Sequence, residues 1–190
     1  MSAAAPLEAD PDAPGPTFDA IYDAHLAFVW RNLRRLGVLP ASLDDATQDV
    51  FLVIHRRLAD APPHALRAWI FGVTRRVAAD HRRLRARKGA TSLAEVAEPV
   101  ARGPGPVAEV ERAEAARLVH ALLDRLDDAK REVFVLAELE QMPAPEIAAA
   151  IGIPINTVYS RLRAARAEFD AHGRRLALAS AGNGPERGTR

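Results

Sequence analysis

Residues 145–162 read PEIAAAIGIPINTVYSRL, which has the spacing of two short helices joined by a glycine turn. Ile147 and Ile151 fall on one side of the first helix, and Gly152 can adopt the left-handed conformation that ends it. The stretch predicts a helix-turn-helix, a motif that places its second helix in the major groove of DNA. A packing corner in a helical bundle is the alternative explanation of the same stretch, so the rest of the chain has to decide.

The second predicted helix has an apolar stripe and a polar face, and Asn156 or Thr157 is in position to cap it. The stripe consists of Val158, Leu162, Ala165 and Phe169. The candidates for DNA contact lie on the polar face or beside it: Asn156, Thr157, Tyr159, Ser160, Arg161, Arg163 and Arg166. Residues at the centre of such a face read bases, and flanking arginines contact phosphates.

Composition restricts the fold and the chemistry. Apolar residues make up 48% of the 190 residues and aromatic residues only 5%, which favours an all-α protein of two small helical domains over a large β fold. Cysteine is absent, so disulfides, thiolate catalysis and cysteine-bound metals are excluded. The six histidines include no pair at the four-residue spacing of a helical metal site. We therefore expect no metal, no cofactor and no catalytic residues.

The apolar segments are short. No run approaches the length needed to cross a bilayer, and the first residues lack the basic start and apolar centre of a signal peptide. These features predict a cytoplasmic protein without direct membrane insertion.

Charge is strongly segregated, although the formal net charge is only +1. Between Arg67 and Lys88 there are eight basic residues and one acidic residue, Asp80, whereas the segment from Glu95 to Glu114 is mostly acidic. A basic helix of this kind is typical of a phosphate-binding surface. The arginines expected to point away from its apolar side are Arg75, Arg76, Arg82 and Arg83.

The distribution of periodic and Gly/Pro-rich segments predicts the domain boundaries. A disordered tail (1–16) precedes a first helical domain (17–89), and a flexible linker (90–108) leads to a second helical domain (109–177) and a second disordered tail (178–190).

With two basic helical modules in this order, the chain resembles the extracytoplasmic-function (ECF) group of bacterial RNA polymerase sigma factors. Residues 43–52, LDDATQDVFL, are similar to the family's acidic segment that docks on the clamp of the polymerase. The resemblance assigns core-polymerase binding to the outward face of this helix, which carries Asp45, Gln48, Asp49 and Leu52.

Residues 67–83, RAWIFGVTRRVAADHRR, resemble the family's helix that melts and holds the minus-ten promoter element, although Arg76 stands where the family usually has Asn. His64 lies in the preceding loop, where the family binds a flipped base. Residues 124–134 resemble the family's lead-in to its second DNA reader, with Asp127 in place of a usual Pro. Residues 146–148 and 157–166 resemble the reader of the minus-thirty-five element itself, with Tyr159 in place of a common Lys or Arg. The resemblance thus implies two sigma domains, region 2 and region 4.

The resemblance also implies the partners: core RNA polymerase, promoter DNA and an anti-sigma factor, with the polymerase performing the chemistry. One alternative is a free-standing helix-turn-helix regulator, but the second domain has no spare long apolar helix for a dimer interface or effector pocket. Another is an enzyme acting on nucleic acid. Its candidate acids, Asp44-Asp45 and Asp127-Asp128, are adjacent in sequence and point to different sides of a helix, so they form no catalytic cluster.

Overall fold

The computed structural model describes residues 17–88 and 106–182, and these residues are helical without a β-strand. The helices are α1 (Phe18–Arg35), α2 (Leu43–Arg56), α3 (Leu66–Lys88), α4 (Pro106–Leu123), α5 (Asp128–Phe134), α6 (Ala144–Ile151) and α7 (Ile155–Gly182). Short 3-10 turns at Pro40–Ser42, Leu58–Asp60 and Pro63–Ala65 connect the first three. The predicted all-α class is confirmed.

The first unit consists of α1, α2 and α3, which pack pairwise around one core. Leu33, Ile54, Ile70 and Phe71 are completely buried there. Burial of a side chain of this size contributes about 1.5–3 kcal/mol to folding. Removal of their apolar surface from water is what holds the three helices together.

Two residues after the end of α1, the chain adopts a left-handed conformation that favours glycine. Gly37 has φ of +86°, and its amide donates to the carbonyl of Arg34 at 3.1 Å. A Cβ at this position would also lie 2.6 Å from Nη1 of Arg131, a residue of α5. At this point Arg131, from the second half of the chain, is in close contact with the end of α1 in the first half.

The second unit consists of α4 to α7, with α7 packed against each of the other three helices. Val133, Leu136, Val158 and Ala165 are buried between them. Helix α5 continues from Phe134 as one π-helical turn, Val135–Leu139, so the helix predicted here is present but is locally wider and underwound relative to an α-helix.

The two units are in contact, with α6 packed on α3 and α4 on α1. The buried side chains of both units form one hydrophobic cluster. The sequence predicted two domains joined by a flexible linker, and in the structure the two units share an interface. A Cβ on Gly72 of α3 would lie 3.3 Å from the Ala150 carbonyl oxygen of α6, so the two backbones approach closely.

Some predicted boundaries differ from the structure. Helix α4 begins at Pro106, inside the segment predicted as linker, and α7 continues to Gly182, so residues 178–182 are helical where a disordered tail was predicted. The remaining parts of both predicted tails, residues 1–16 and 183–190, and linker residues 90–105 lie outside the described residues.

Candidate nucleic-acid and polymerase interfaces

A glycine turn sets the angle between α6 and α7. Gly152 has φ of +72°, and its amide donates to the Ala148 carbonyl at 2.9 Å. The amide of Ile153 donates to the same carbonyl at 3.1 Å. These bonds supply donors to a carbonyl in the last turn of α6, which ends the helix. The chain then turns into a new helix, as the glycine pattern predicts.

Helix α7 presents the predicted polar face to solvent. Asn156, Tyr159, Ser160 and Arg163 are exposed, Tyr159 by 56% of its surface. On the opposite side Val158, Leu162 and Ala165 are buried and Phe169 is half-buried, as the sequence predicts. The face therefore has no packing role in this unit and is available for a ligand.

The predicted cap of α7 was wrong. The helix begins at Ile155, one residue before Asn156, and the amides of Thr157 and Val158 donate to the carbonyl of Pro154. Asn156 and Thr157 thus lie in the first turn rather than before it. Thr157 and Arg161 are half-buried on the flank of the face, and the Ser160 hydroxyl donates to the Thr157 carbonyl at 3.1 Å.

The basic helix α3 has two kinds of arginine. Arg76 and Arg83 are exposed, and Arg83 forms an ion pair with Asp80 one turn earlier. His64 lies exposed in the 3-10 turn before the helix. Arg76 and Arg83 are seven residues apart and so lie on one side of α3, and we call them, together with His64, the open surface of α3.

Arg75 and Arg82, which were also predicted to point away from the apolar side of α3, do not share that open surface. Both are half-buried against the second unit. Nη1 of Arg75 lies 3.2 Å from the Glu132 carboxylate, and Nη2 of Arg82 lies 2.8 Å from that of Asp128. Sequence periodicity placed these side chains outside the core of α3 but could not reveal a neighbouring domain.

The outward face of α2 carries the predicted polymerase-binding residues. Asp45, Gln48, Asp49 and Leu52 are all exposed, and 45% of the Leu52 surface is accessible although the side chain is apolar. Oδ2 of Asp49 also lies 2.9 Å from Nε2 of His81 on α3, which ties this face to the basic helix.

An open apolar groove of about 1010 Å³ lies between α1 and α2, beside this face. Its lining includes Phe18, Tyr22, Trp30, Phe51 and Leu52, together with Gln48. The sequence analysis missed this groove, because helical periodicity does not show where two packed helices leave a gap between them.

A metal-ligand cluster and a membrane-spanning helix are absent from the parts of the chain that the structure describes. Residues 17–88 and 106–182 contain no group of three potential metal ligands among His, Cys, Asp and Glu. None of the helices in these ranges combines the length and the hydropathy that a membrane span requires.

Comparison with known proteins identifies both units. The family model for sigma-70 region 2 matches residues 21–88, and that for sigma-70 region 4 matches residues 116–169. The RNA polymerase sigma factor NccH of Alcaligenes xylosoxydans xylosoxydans is 34% identical over 160 residues, which cover 81% of this chain and 85% of NccH. The RNA polymerase sigma factor CnrH of Cupriavidus metallidurans is 36% identical over 147 residues, covering 73% and 76%.

Two solved structures of sigma factors also match this chain. The structure of CnrH in complex with the cytosolic domain of CnrY matches with a TM-score of 0.61 at 28% identity, over 81% of this chain and 85% of CnrH. The sigma factor RpoE of Bartonella quintana, solved with the anti-sigma factor NepR, has a TM-score of 0.57 at 23% identity and supports the fold.

The two regions, in this order, are those of a factor that directs RNA polymerase to promoters rather than of a free-standing helix-turn-helix regulator. The chain belongs to the ECF group of sigma-70 family RNA polymerase sigma factors.

Proposed function

We propose that this sigma factor divides promoter recognition between its two units, with α3 holding the opened minus-ten element and α7 reading the minus-thirty-five element. The observation that carries the proposal is the exposed face of α7. Asn156, Ser160 and Arg163 lie opposite the buried side chains of the stripe, and this face follows the glycine turn of a helix-turn-helix. A major groove accepts one α-helix with such a face.

Individual roles follow from position on α7. Arg163, near the centre of the face, reads a base, because a guanidinium can donate two hydrogen bonds to guanine. Tyr159, Arg161 and Arg166 lie beside the centre and contact the phosphate backbone, which sets the position of the helix. Asn156 and Thr157, in the first turn, lie where a recognition helix enters the groove.

On the first unit, the open surface of α3 holds single-stranded DNA. A base that leaves the duplex needs a planar group to stack on, and its strand needs cations along the backbone. His64 offers the planar group, and Arg76 and Arg83 the exposed cations. Arg75 and Arg82 lie next to them and extend the same basic surface when the second unit is moved away.

Polymerase docking is assigned to the face of α2. Asp45, Gln48 and Asp49 surround an exposed leucine, Leu52, and this mixture of carboxylates and apolar surface suits a basic partner with an apolar centre. The polymerase performs the bond-forming chemistry, so the sigma factor contributes no catalytic group. It acts in the cytoplasm because it works as a subunit of the polymerase.

An inhibitory protein partner is also proposed, since the related sigma factor CnrH was solved with the cytosolic domain of CnrY. Gln48 and Leu52 line the α1/α2 groove and also belong to the polymerase-docking face. An anti-sigma protein seated in this groove would compete directly with polymerase.

The proposed division is tested by adding the purified chain to core RNA polymerase and mapping transcript starts and permanganate-reactive thymines. We expect specific starts, and we expect Arg76→Ala/Arg83→Ala to lose thymine reactivity while still binding polymerase. Arg125→Ala/Arg174→Ala, which removes two exposed charges from the second unit, is the matched control. Normal melting by the α3 variant would mean that its arginines only solvate the helix.

A further inference from the structure

His81 of the basic helix α3 reaches the polymerase-docking face of α2. Its Nε2 lies 2.9 Å from Oδ2 of Asp49, one of the residues assigned to polymerase binding. Only 18% of the His81 side chain is exposed, against 54% of the Asp49 side chain. The bond therefore joins a mostly buried ring to an accessible carboxylate.

Packing fixes the imidazole ring of His81 on its other sides. The ring lines a narrow cavity with Val38, Leu39 and Ser42, which belong to the turn between α1 and α2. Val38 is buried, and Ser42 directly precedes α2. Because the ring is enclosed in this way, it has little freedom to follow Asp49. The carboxylate is the member of the pair whose orientation the bond decides.

The Asp49 carboxylate depends on a single donor. Within the described residues, His81 is the one hydrogen-bond partner of the Asp49 side chain. The nearest acid on α3, Asp80, forms an ion pair with Arg83 instead. Since an ionised carboxylate can only accept, Nε2 of His81 carries the hydrogen of this bond.

A carboxylate held in this way is prepared for a second donor. Its two oxygens offer about four lone-pair sites, so the bond from His81 leaves room for a cation of a partner protein. An aspartate on an open helix face otherwise exchanges among staggered rotamers, and ordering it on binding reduces affinity. Asp45 is exposed on the same face, and in the described part of the chain its side chain has no hydrogen bond.

We propose that His81 is a positioning residue for polymerase docking, which holds the Asp49 carboxylate in the orientation that accepts a cationic side chain of the polymerase. His81 acts through Asp49 and makes no contact of its own with the polymerase. The helix assigned to DNA thus also supports the docking face of its neighbour. This inference rests on the proposed role of α2 in polymerase docking.

The first measurement is a titration of core polymerase with the full chain and its His81 variants. His81→Phe keeps a planar ring in the cavity but removes the donor, and His81→Ala removes both. Each should bind roughly three- to fivefold more weakly, the effect of one side chain that has to be ordered on binding. His81→Gln carries an N–H donor in place of Nε2 and should keep most of the native affinity. His172→Phe makes the same substitution in the second unit and should leave the affinity unchanged.

The second measurement is a double-mutant cycle, which tests whether His81 acts through Asp49. In an Asp49→Ala background His81→Phe should cause no further loss, because the carboxylate that His81 holds is already absent. Asp45→Ala is the matched background, since it also removes one carboxylate from the docking face. There His81→Phe should still weaken binding roughly three- to fivefold. Circular dichroism shows whether each variant keeps its helices, and His81→Ala replaces His81→Phe in the cycle if the phenylalanine is not accommodated.

The outcomes separate this inference from the proposed docking role. Native affinity in both His81→Phe and His81→Ala overturns the positioning role. So does an undiminished loss in the Asp49→Ala background, or a His81→Gln variant as weak as His81→Phe. In each of these cases a weakened Asp49→Ala variant leaves the docking role of α2 intact. Native affinity in Asp49→Ala itself overturns the role of Asp49 in docking, and the inference fails with it.

Discussion

Arg166 donates two hydrogen bonds to one carboxylate oxygen of Glu138, from Nε at 2.8 Å and from Nη2 at 2.6 Å. The pair joins α7 to the π turn after α5, and both side chains remain accessible. Arg166 is thus held at the flank of the reading face, and its positive charge is partly neutralised before any DNA arrives.

Glu138→Gln should therefore strengthen DNA binding. Exposed ion pairs contribute only about 0–1 kcal/mol, so stability should change little. A phosphate would no longer compete with the carboxylate for Arg166, and we expect affinity for all duplexes to rise about two- to fivefold, equivalent to about 0.4–1 kcal/mol. Fluorescence anisotropy with several duplexes measures this effect. Glu114→Gln, with the same change in charge, should not reproduce it.

Arg163 and Arg166 should have different effects on specificity. Arg163→Ala should change which upstream hexamers are preferred, by about 1–3 kcal/mol at an affected base pair, because a bidentate base contact is lost. Arg166→Ala should weaken binding to all promoters alike, because a phosphate contact carries no sequence information. Selection from a promoter library compares the two. A uniform loss of affinity in both variants would mean that the reading face is assigned wrongly.

Gln48→Ala/Asp49→Ala should weaken binding to core polymerase without loss of helix. Both side chains are exposed on α2 and neither is part of its core, so the change should affect only the docking face. We expect a loss of about tenfold, or about 1.4 kcal/mol, in a titration with core enzyme. His81→Ala breaks the contact with Asp49 from the other side and controls for that bond. Near-normal affinity in the double variant would contradict the assignment.

Features that depend on a few neighbouring residues could be predicted from the sequence. The turn at Gly152 and the buried stripe of α7 follow from one glycine and from helical periodicity, and both are local signals. The same holds for the exposed acidic face of α2. Such features need no information about what packs against the helix.

Contacts between distant segments could not be predicted in this way. Glu140 meets Asn32, Arg35 and Arg67, which are 108, 105 and 73 residues away. A single charged residue near the end of a helix gives no periodic signal for such partners. For the same reason the sequence placed Arg75 away from the apolar side of α3 but gave no sign of Glu132, because a polar side chain under another domain has the same pattern as one on a free surface.

Asp127 stands where the family that the sequence resembles usually has Pro. In the structure Asp127 has a role of its own. It caps α5, with its Oδ1 accepting from the Lys130 amide at 2.9 Å and its Oδ2 lying 2.8 Å from Nζ of Lys130. These bonds lower the pKa of Asp127, the side chain of Lys130 having the largest effect and its amide the next. The charged form of the carboxylate is therefore the one that stabilises the fold.

Asp127→Ala should reduce the free energy of unfolding by about 1 kcal/mol at pH 7, the usual effect of losing an N-cap. Because folding lowers the pKa of Asp127, its stabilisation is complete above the unfolded value of about 3.9 and disappears as the pH falls through the folded value. Urea unfolding should thus show the gap between the native chain and Asp127→Ala narrowing below about pH 4. Asp127→Asn keeps a capping oxygen but loses the charge beside Lys130, so its free energy of unfolding at pH 7 should lie between those of the native chain and Asp127→Ala. A gap that persists undiminished in acid would show that the carboxylate charge does not stabilise α5.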